Sequence, residues 1–298
     1  MADDHLAKSM EDSSMPRPIG PTIPRWQLGE QMSQLRTAAR KSQQDASGRL
    51  GCSVSKIQKI EGGEVGMKQV ELEALLELYD APEQLRLQLL ELRRLGAQRG
   101  WWSKYGQVPA PFATFLGLES AATKIRIFEP LMIHGLLQTK DYAHALAESL
   151  NPALSDAEVD RQVQIRLERQ ERVFAEDPPE IWVVLDEAVL RRQLGGRDVM
   201  ARQLDHLMTL PKRVTVQVVP FANGGYPGAL GALTLFEFAE DLHTPVAYVE
   251  SQAGNLYLER EEDLGRANLA LDHINAAALS KQQSRDLIAT VARQFVQQ

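Results

Sequence analysis

Residues Ser42 to Gly63 read Ser-Gln-Gln-Asp-Ala-Ser-Gly-Arg-Leu-Gly-Cys-Ser-Val-Ser-Lys-Ile-Gln-Lys-Ile-Glu-Gly-Gly, two short helical patterns that meet at a glycine. Ala46 and Leu50 stand four apart on one face of the first pattern. Gly51 supplies a left-handed turn, and Cys52 is expected as a small buried plug behind it. Ser53 is a natural N-cap for the second helix, whose Ile57 and Ile60 point inward. Residues four apart lie above one another on a helix, so this packing turns Val54, Ser55, Gln58 and Lys59 outward. A helix docked in this way presents those side chains to a DNA major groove. Ser55 and Lys59 are candidates for hydrogen bonds to base edges, and Val54 for contact with a thymine methyl. Gln43, at the start of the first helix, is placed to fix a phosphate through its amide, and Arg49 and Lys56 to neutralise phosphates. Two helices in an ordinary bundle joined by a glycine are the bland alternative; turn, cap, apolar spacing and charge together favour a helix-turn-helix.

The charge distribution agrees with a local anionic partner. The 298-residue chain has a net charge of −7, which by itself argues against nucleic acid. From Arg25 to Gly63, however, seven basic residues face three acidic ones, so this segment is +4 and the rest of the chain is −11. A basic module joined to an acidic one binds DNA locally while the acidic part stays clear of it.

Outward from the motif, residues 1–24 carry Pro16, Pro18, Pro21 and Pro24 among polar residues and suggest a flexible tail. Leu28, Met32, Leu35 and Ala39 mark a first amphipathic helix, and Val70, Leu72, Leu75, Leu76 and Leu78 a later one. Residues 25–81 are thus an all-α helix-turn-helix DNA-binding domain. Residues 82–105 form a helical connector; the leucines from Glu83 to Leu95 make a stripe too wide for a helix resting on one small domain, and suit packing between domains or subunits.

Residues 106–298 read as an α+β domain for a signal or a partner, with a helical N-terminal part, one βαβ unit and a small mixed sheet. A helical pattern runs from Phe112 to about Phe128. Gly135-Leu136-Leu137-Gln138-Thr139 leads into a helix ending near Leu150, capped by Thr139. Ser155 and Glu158 have capping-box spacing and open a long helix with Val159, Val163, Leu167 and Phe174 inside. Ile181–Leu185 and Val214–Val219 suit buried strands, and the helical residues between them, including Val199–Leu210, make the pair parallel. Ala232–Phe238 and Val246–Glu250 are two more strands about a turn at residues 241–245. Helical periodicity returns from Glu261, with a second capping box at Ser280–Gln283.

Several function classes are disfavoured. No apolar run approaches membrane-spanning length, and the N-terminus lacks the basic and apolar regions of a signal peptide. The single cysteine, Cys52, excludes an internal disulfide framework and fits a reducing cytoplasm. The six histidines show no paired zinc spacing, so no metal and no cofactor is expected. Asp186 and Glu187 end a strand without a nucleophile or base beside them, which favours loop or cap roles over catalysis; an enzyme is not expected. The glycine-rich loop Gly224–Gly231 joins two strands rather than entering a helix, unlike a phosphate-cradling loop. The arginines of the helix after Ser155 alternate with carboxylates, the pattern of a solvated face.

The succession of the helix-turn-helix, Trp101-Trp102, Leu118-Glu119, Gly135-Leu136-Leu137-Gln138-Thr139, Arg169-Gln170, Leu185-Asp186-Glu187-Ala188-Val189-Leu190, Val214–Val218 and Tyr248-Val249-Glu250 resembles one group of proteins. It is similar to the antitoxin-like transcriptional regulators of actinobacteria, which pair a helix-turn-helix of the xenobiotic-response-element type with a WhiJ-like C-terminal domain. The helix-turn-helix names only a superfamily; the later blocks are more specific. The chain departs from the group at His134, usually proline, and at Ser47, usually a small apolar residue.

The resemblance implies transcription control and a small BldB-like partner protein in an antitoxin-like arrangement, and carries over no catalytic residue. The combined expectation is a cytoplasmic, sequence-specific regulator, a homodimer on double-stranded DNA that reads the major groove with Ser53–Glu61. The rival expectations are an antitoxin that chiefly sequesters its partner, and a small-molecule sensor with Phe221–Gly231 lining the pocket.

Overall fold

The computed structural model describes residues 20–296 except Gln107, Glu176, Asp241 and Gln252. Five helices come first: α1 (Thr22–Ala38), α2 (Gln43–Leu50), α3 (Val54–Glu61), α4 (Gln69–Leu78) and α5 (Glu83–Gly96). Their shared core contains Leu28, Met32, Ala46, Ile57, Ile60, Leu72, Leu75, Leu76 and Leu89. Of the expected tail, residues 1–19 lie outside the described residues, but residues 21–24 are buried and α1 begins at Thr22. Pro21 and Pro24 open the helix instead of preventing it, because N–H groups in the first turn have no partner to lose.

Past the 3₁₀ turn Trp101–Tyr105, the remaining elements are α6 (Ala110–Ala121), β1 (Lys124–Glu129), α7 (Lys140–Leu150), α8 (Asp156–Val173), β2 (Glu180–Asp186), α9 (Glu187–Arg191), α10 (Arg197–Leu207), β3 (Val214–Val219), β4 (Leu233–Glu237), β5 (Val246–Ser251), β6 (Gly254–Leu258), α11 (Glu261–Ala277) and α12 (Lys281–Val296). The strands form one sheet in the order β3-β2-β1-β4-β5-β6, parallel from β3 to β1 and antiparallel from β1 to β6. The architecture is therefore a helical N-terminal region followed by an α+β region with a six-stranded mixed sheet.

Both faces of the sheet are covered, which alternation along the strands makes possible. Ile125, Ile127, Ile181, Val183 and Leu185 face a core shared with Phe115, Leu118, Leu204 and Ile288 of the surrounding helices. Phe128, Val184, Leu235 and Ala247 face Ala267, Leu271 and Ile274 of α11. The helical pattern expected up to Phe128 ends at Ala121: Ile125–Phe128 is the inner strand β1, hydrogen-bonded on both sides. Ile125 and Ile127 alternate with a half-buried Arg126, a period of two that belongs to a strand. The expected β2–β3 parallel pair is present and extends through β1, so there are two β-α-β crossovers in one continuous sheet. The hairpin strand β6 was not expected.

The face of α8 expected to be solvated is partly internal. Arg169 is buried and its guanidinium meets the buried Glu119 carboxylate of α6 in a fork, Nε and Nη2 lying 2.5 and 2.6 Å from the two oxygens. Arg166 donates to Oε1 of Gln138 at 2.5 Å. Gln170 donates to the carbonyls of Gly135 and Gln138 at 2.7 and 2.9 Å. These bonds fasten the Gly135–Thr139 segment to α8. His134 just before it has φ −57° and ψ 142°, angles that proline also takes, so the histidine keeps the turn.

Candidate nucleic-acid interface

Helices α2 and α3 are built as their sequence requires. Ser42 accepts from the Asp45 N–H at 3.1 Å while Asp45 accepts from the Ser42 N–H at 2.8 Å, a reciprocal cap that starts α2. Gly51 ends α2 at φ 63° and ψ 37°. Ser53 accepts from the Lys56 N–H at 3.2 Å and starts α3. Ile57 and Ile60 are buried at 1% and 2% exposure, which fixes the rotation of α3. Cys52 is only half-buried, a lid on the turn rather than the expected plug. Ser47 is buried and returns its hydroxyl proton to the Gln44 carbonyl at 2.9 Å, so the polar group is satisfied within its own helix.

Helix α3 is locked to α1 at its C-terminal end. Arg36 grips Glu61 with Nε and Nη2 at 2.6 and 3.0 Å, and both side chains are largely buried. Burial of an ion pair contributes little net stability, but removal of one partner strands the other, so the pair fixes register. The second Glu61 oxygen also accepts from Gln43 at 3.0 Å.

The candidate DNA-facing residues divide into two groups. Ser55, Gln58 and Lys59 are exposed on α3, with Val54 half-buried at its start. Among the described residues, no side-chain hydrogen bond or ion pair engages Ser55, Gln58 or Lys59. Lys56, Arg49 and Gln43 are engaged within the protein. Lys56 Nζ lies 2.6 Å from Glu71, Arg49 Nη2 lies 2.6 Å from Glu77, and Gln43 serves Glu61. The Glu71 contact raises the Lys56 ammonium above its usual range, chiefly through the hydrogen bond. Pairs this exposed are worth about 0–1 kcal/mol and exchange readily with a phosphate. Sequence reasoning left out Arg40 and Lys41, which close the α1–α2 turn immediately before Ser42. The signal was a basic pair next to an N-cap, where backbone N–H groups already favour an anion.

In the C-terminal domain, the strand-end carboxylates take structural roles. Asp186 caps α9 through the Ala188 N–H at 2.8 Å and accepts from the Tyr226 hydroxyl at 2.7 Å. Glu187 accepts from the Phe221 N–H at 2.7 Å and pairs with Arg191. The Phe221–Gly231 loop, expected to line a pocket in the sensor reading, is thereby pinned to the end of β2 at Phe221 and Tyr226. Among the described residues, no helix is long and apolar enough to cross a membrane.

Two family models match the chain. One, described as a helix-turn-helix domain, covers residues 27–89. The other, described as a domain of unknown function (DUF5753), covers residues 112–290. No curated protein and no solved structure matches.

Proposed function

Because the chain belongs to the family of the domain of unknown function (DUF5753) and carries a helix-turn-helix domain ahead of it, we propose that it is a sequence-specific transcriptional regulator. The observation that carries this reading is α3: buried on Ile57 and Ile60, capped by Ser53, and open on the face that bears Ser55, Gln58 and Lys59. Those side chains read base edges in the major groove, and Val54 meets a thymine methyl. Arg49, Lys56 and Gln43 leave their carboxylate partners to meet phosphates, so specific binding carries a modest cost of exchange. The regulator acts as a homodimer with two recognition helices about 34 Å apart, one turn of DNA. It is cytoplasmic and not an enzyme. Selection of binding sites from random duplex DNA tests this directly. Convergence on an inverted repeat of that spacing supports the reading; a bound pool without a common sequence contradicts it.

The antitoxin-like role, the actinobacterial and WhiJ-like affinities, and a small BldB-like partner are supported by the resemblance of the motif blocks. Stoichiometric co-purification of a small protein encoded beside this one supports the partner; purification of the regulator alone from cells that express both contradicts it.

A further inference from the structure

The two domains share a helix and leave a groove beside it. At its N-terminal end, α1 belongs to the C-terminal domain: Ile23 is in that core, and the Trp26 ring lies 5.7 Å from His243 and 6.2 Å from Tyr257. One turn on, Leu28 and Met32 belong to the helix-turn-helix core. The groove is about 1100 Å³ in volume and runs between α1 and α5 on one side and the β4–β5 connection with Glu259 on the other. Leu85, Leu87 and Leu92 make its apolar floor over the buried Leu89, and Glu30, Glu91 and Glu259 stand around it.

The charge around this floor has one sign. Among the described residues, no lysine or arginine lines the groove. Glu91 shares its charge with Arg94 at 2.6 Å, and Glu259 has only His243 at 3.7 Å. Burial raises the Glu259 carboxyl, and Glu30 adds to the rise against the opposing effect of His243. An apolar floor under crowded carboxylates is complementary to a cation with an apolar body. The chain's own first 19 residues are a poor occupant, since Asp3, Asp4, Glu11 and Asp12 outnumber Lys8 and Arg17. A stable protein partner is also disfavoured, because the lining falls short of the roughly 20–30 residues a side that such interfaces use. The volume instead lies near the upper end of small-molecule sites, about 300–1,000 Å³.

We propose that the groove between α5 and the β4–β5 connection binds a small amphipathic cation, its apolar body on the α5 leucines and its ammonium or amidinium group between Glu30 and Glu259. Such a ligand bears on α1, whose Gly29 abuts the end of the recognition helix, and so links occupancy to the placement of α3. That link to DNA rests on the function proposed above; the binding site itself does not.

The test titrates the full chain, without DNA, with 3-phenylpropylamine and with its anionic counterpart 3-phenylpropanoate, by calorimetry and thermal shift. The amine is expected to bind and raise the melting temperature, and the carboxylate to do neither. Leu87→Lys places a cation on the exposed floor without opening the core and should weaken the amine at least tenfold. Gln84→Lys, the same charge change on α5 outside the groove, should leave binding unchanged. Equal binding of amine and carboxylate, no binding of the amine, or unchanged amine binding by Leu87→Lys each overturns the proposal. Since no DNA is present, a protein that reads no operator still gives a clear result.

Discussion

A Cβ placed on Gly29 of α1 would stand 2.6 Å from the carbonyl oxygen of Glu61, the last residue of α3. The same position would be 2.6 Å from the Ile60 carbonyl, so two backbones touch there with no room for a methyl group. With the Arg36–Glu61 pair about two turns further along α1, this contact sets where α3 sits.

Gly29→Ala therefore forces α1 and α3 apart, against the small gain in helix propensity. Overpacking of this kind costs about 1–3 kcal/mol. The helix-turn-helix domain should melt lower by thermal denaturation, and DNA affinity should fall although no DNA-facing residue has changed. An unchanged melting temperature would show that the contact is slack.

Arg169 and Glu119 form an ion pair with both side chains buried. Glu119→Gln leaves a guanidinium without its counter-charge and should cost about 3–5 kcal/mol in the C-terminal domain. The double change Arg169→Met with Glu119→Leu should recover much of that loss, since an apolar pair has no stranded charge. Urea denaturation of the single and double variants distinguishes this from a surface pair, for which both would be near neutral.

The stability of the C-terminal domain should be nearly level at mildly acid pH and fall above about pH 6.5. The Glu129 carboxyl at the end of β1 is pushed up to about 8 by burial and the nearby Glu250, against the pull of Arg169. The folded state then holds a proton that the unfolded chain has released, so stability falls as pH rises towards and through 8, by up to about 1.4 kcal/mol per pH unit. His134 acts in the opposite sense. Burial, then Arg169 and Arg166, hold its imidazole well below its usual range. The histidine contribution is therefore lost as pH falls below about 6.5, its unfolded value, where it offsets the gain from Glu129. Glu129→Gln should flatten the alkaline limb from about pH 6.5 to 8.5 and expose the histidine's acid limb below about 6.5. Melting temperatures over pH 5–9 check both; an alkaline limb that persists in the variant contradicts the assignment.

The local signals were legible where they were dense. The caps Ser53, Thr139 and Ser155, the turn at Gly51 and the inward Ile57 and Ile60 all stand where the sequence placed them. β1 was hidden because Ile125 and Phe128 are also three apart, a spacing that suits a helix, and α6 runs up to it with a break of only two residues. β6 was missed because Gly254–Leu258 is an edge strand with no fully buried residue and little apolar alternation. The partners of Arg169, Lys56 and Arg49 are 50, 15 and 28 residues away, and no local pattern announces pairs at such separations. Arg169 sits among exposed charges of its own helix, so only the fold could reveal that it turns inward.

Within the interface, Lys59→Ala and Ser55→Ala should weaken specific DNA by about 1–3 kcal/mol each and random DNA far less. Lys56→Ala should weaken both kinds and reduce the salt slope by about one unit. Because Lys56 is held by Glu71, Glu71→Gln should tighten both kinds modestly by freeing it. Equal losses on specific and random DNA for Lys59→Ala and Ser55→Ala would remove their base-reading roles.

The most direct test of the central claim is binding of the full chain to its own upstream promoter fragment against random competitor DNA, across a salt series. The account expects selective binding whose logarithmic affinity falls steeply and linearly with the logarithm of salt concentration, and selectivity that Lys59→Ala reduces. Equal affinity for promoter and competitor at every salt concentration, unchanged by Lys59→Ala, would contradict it.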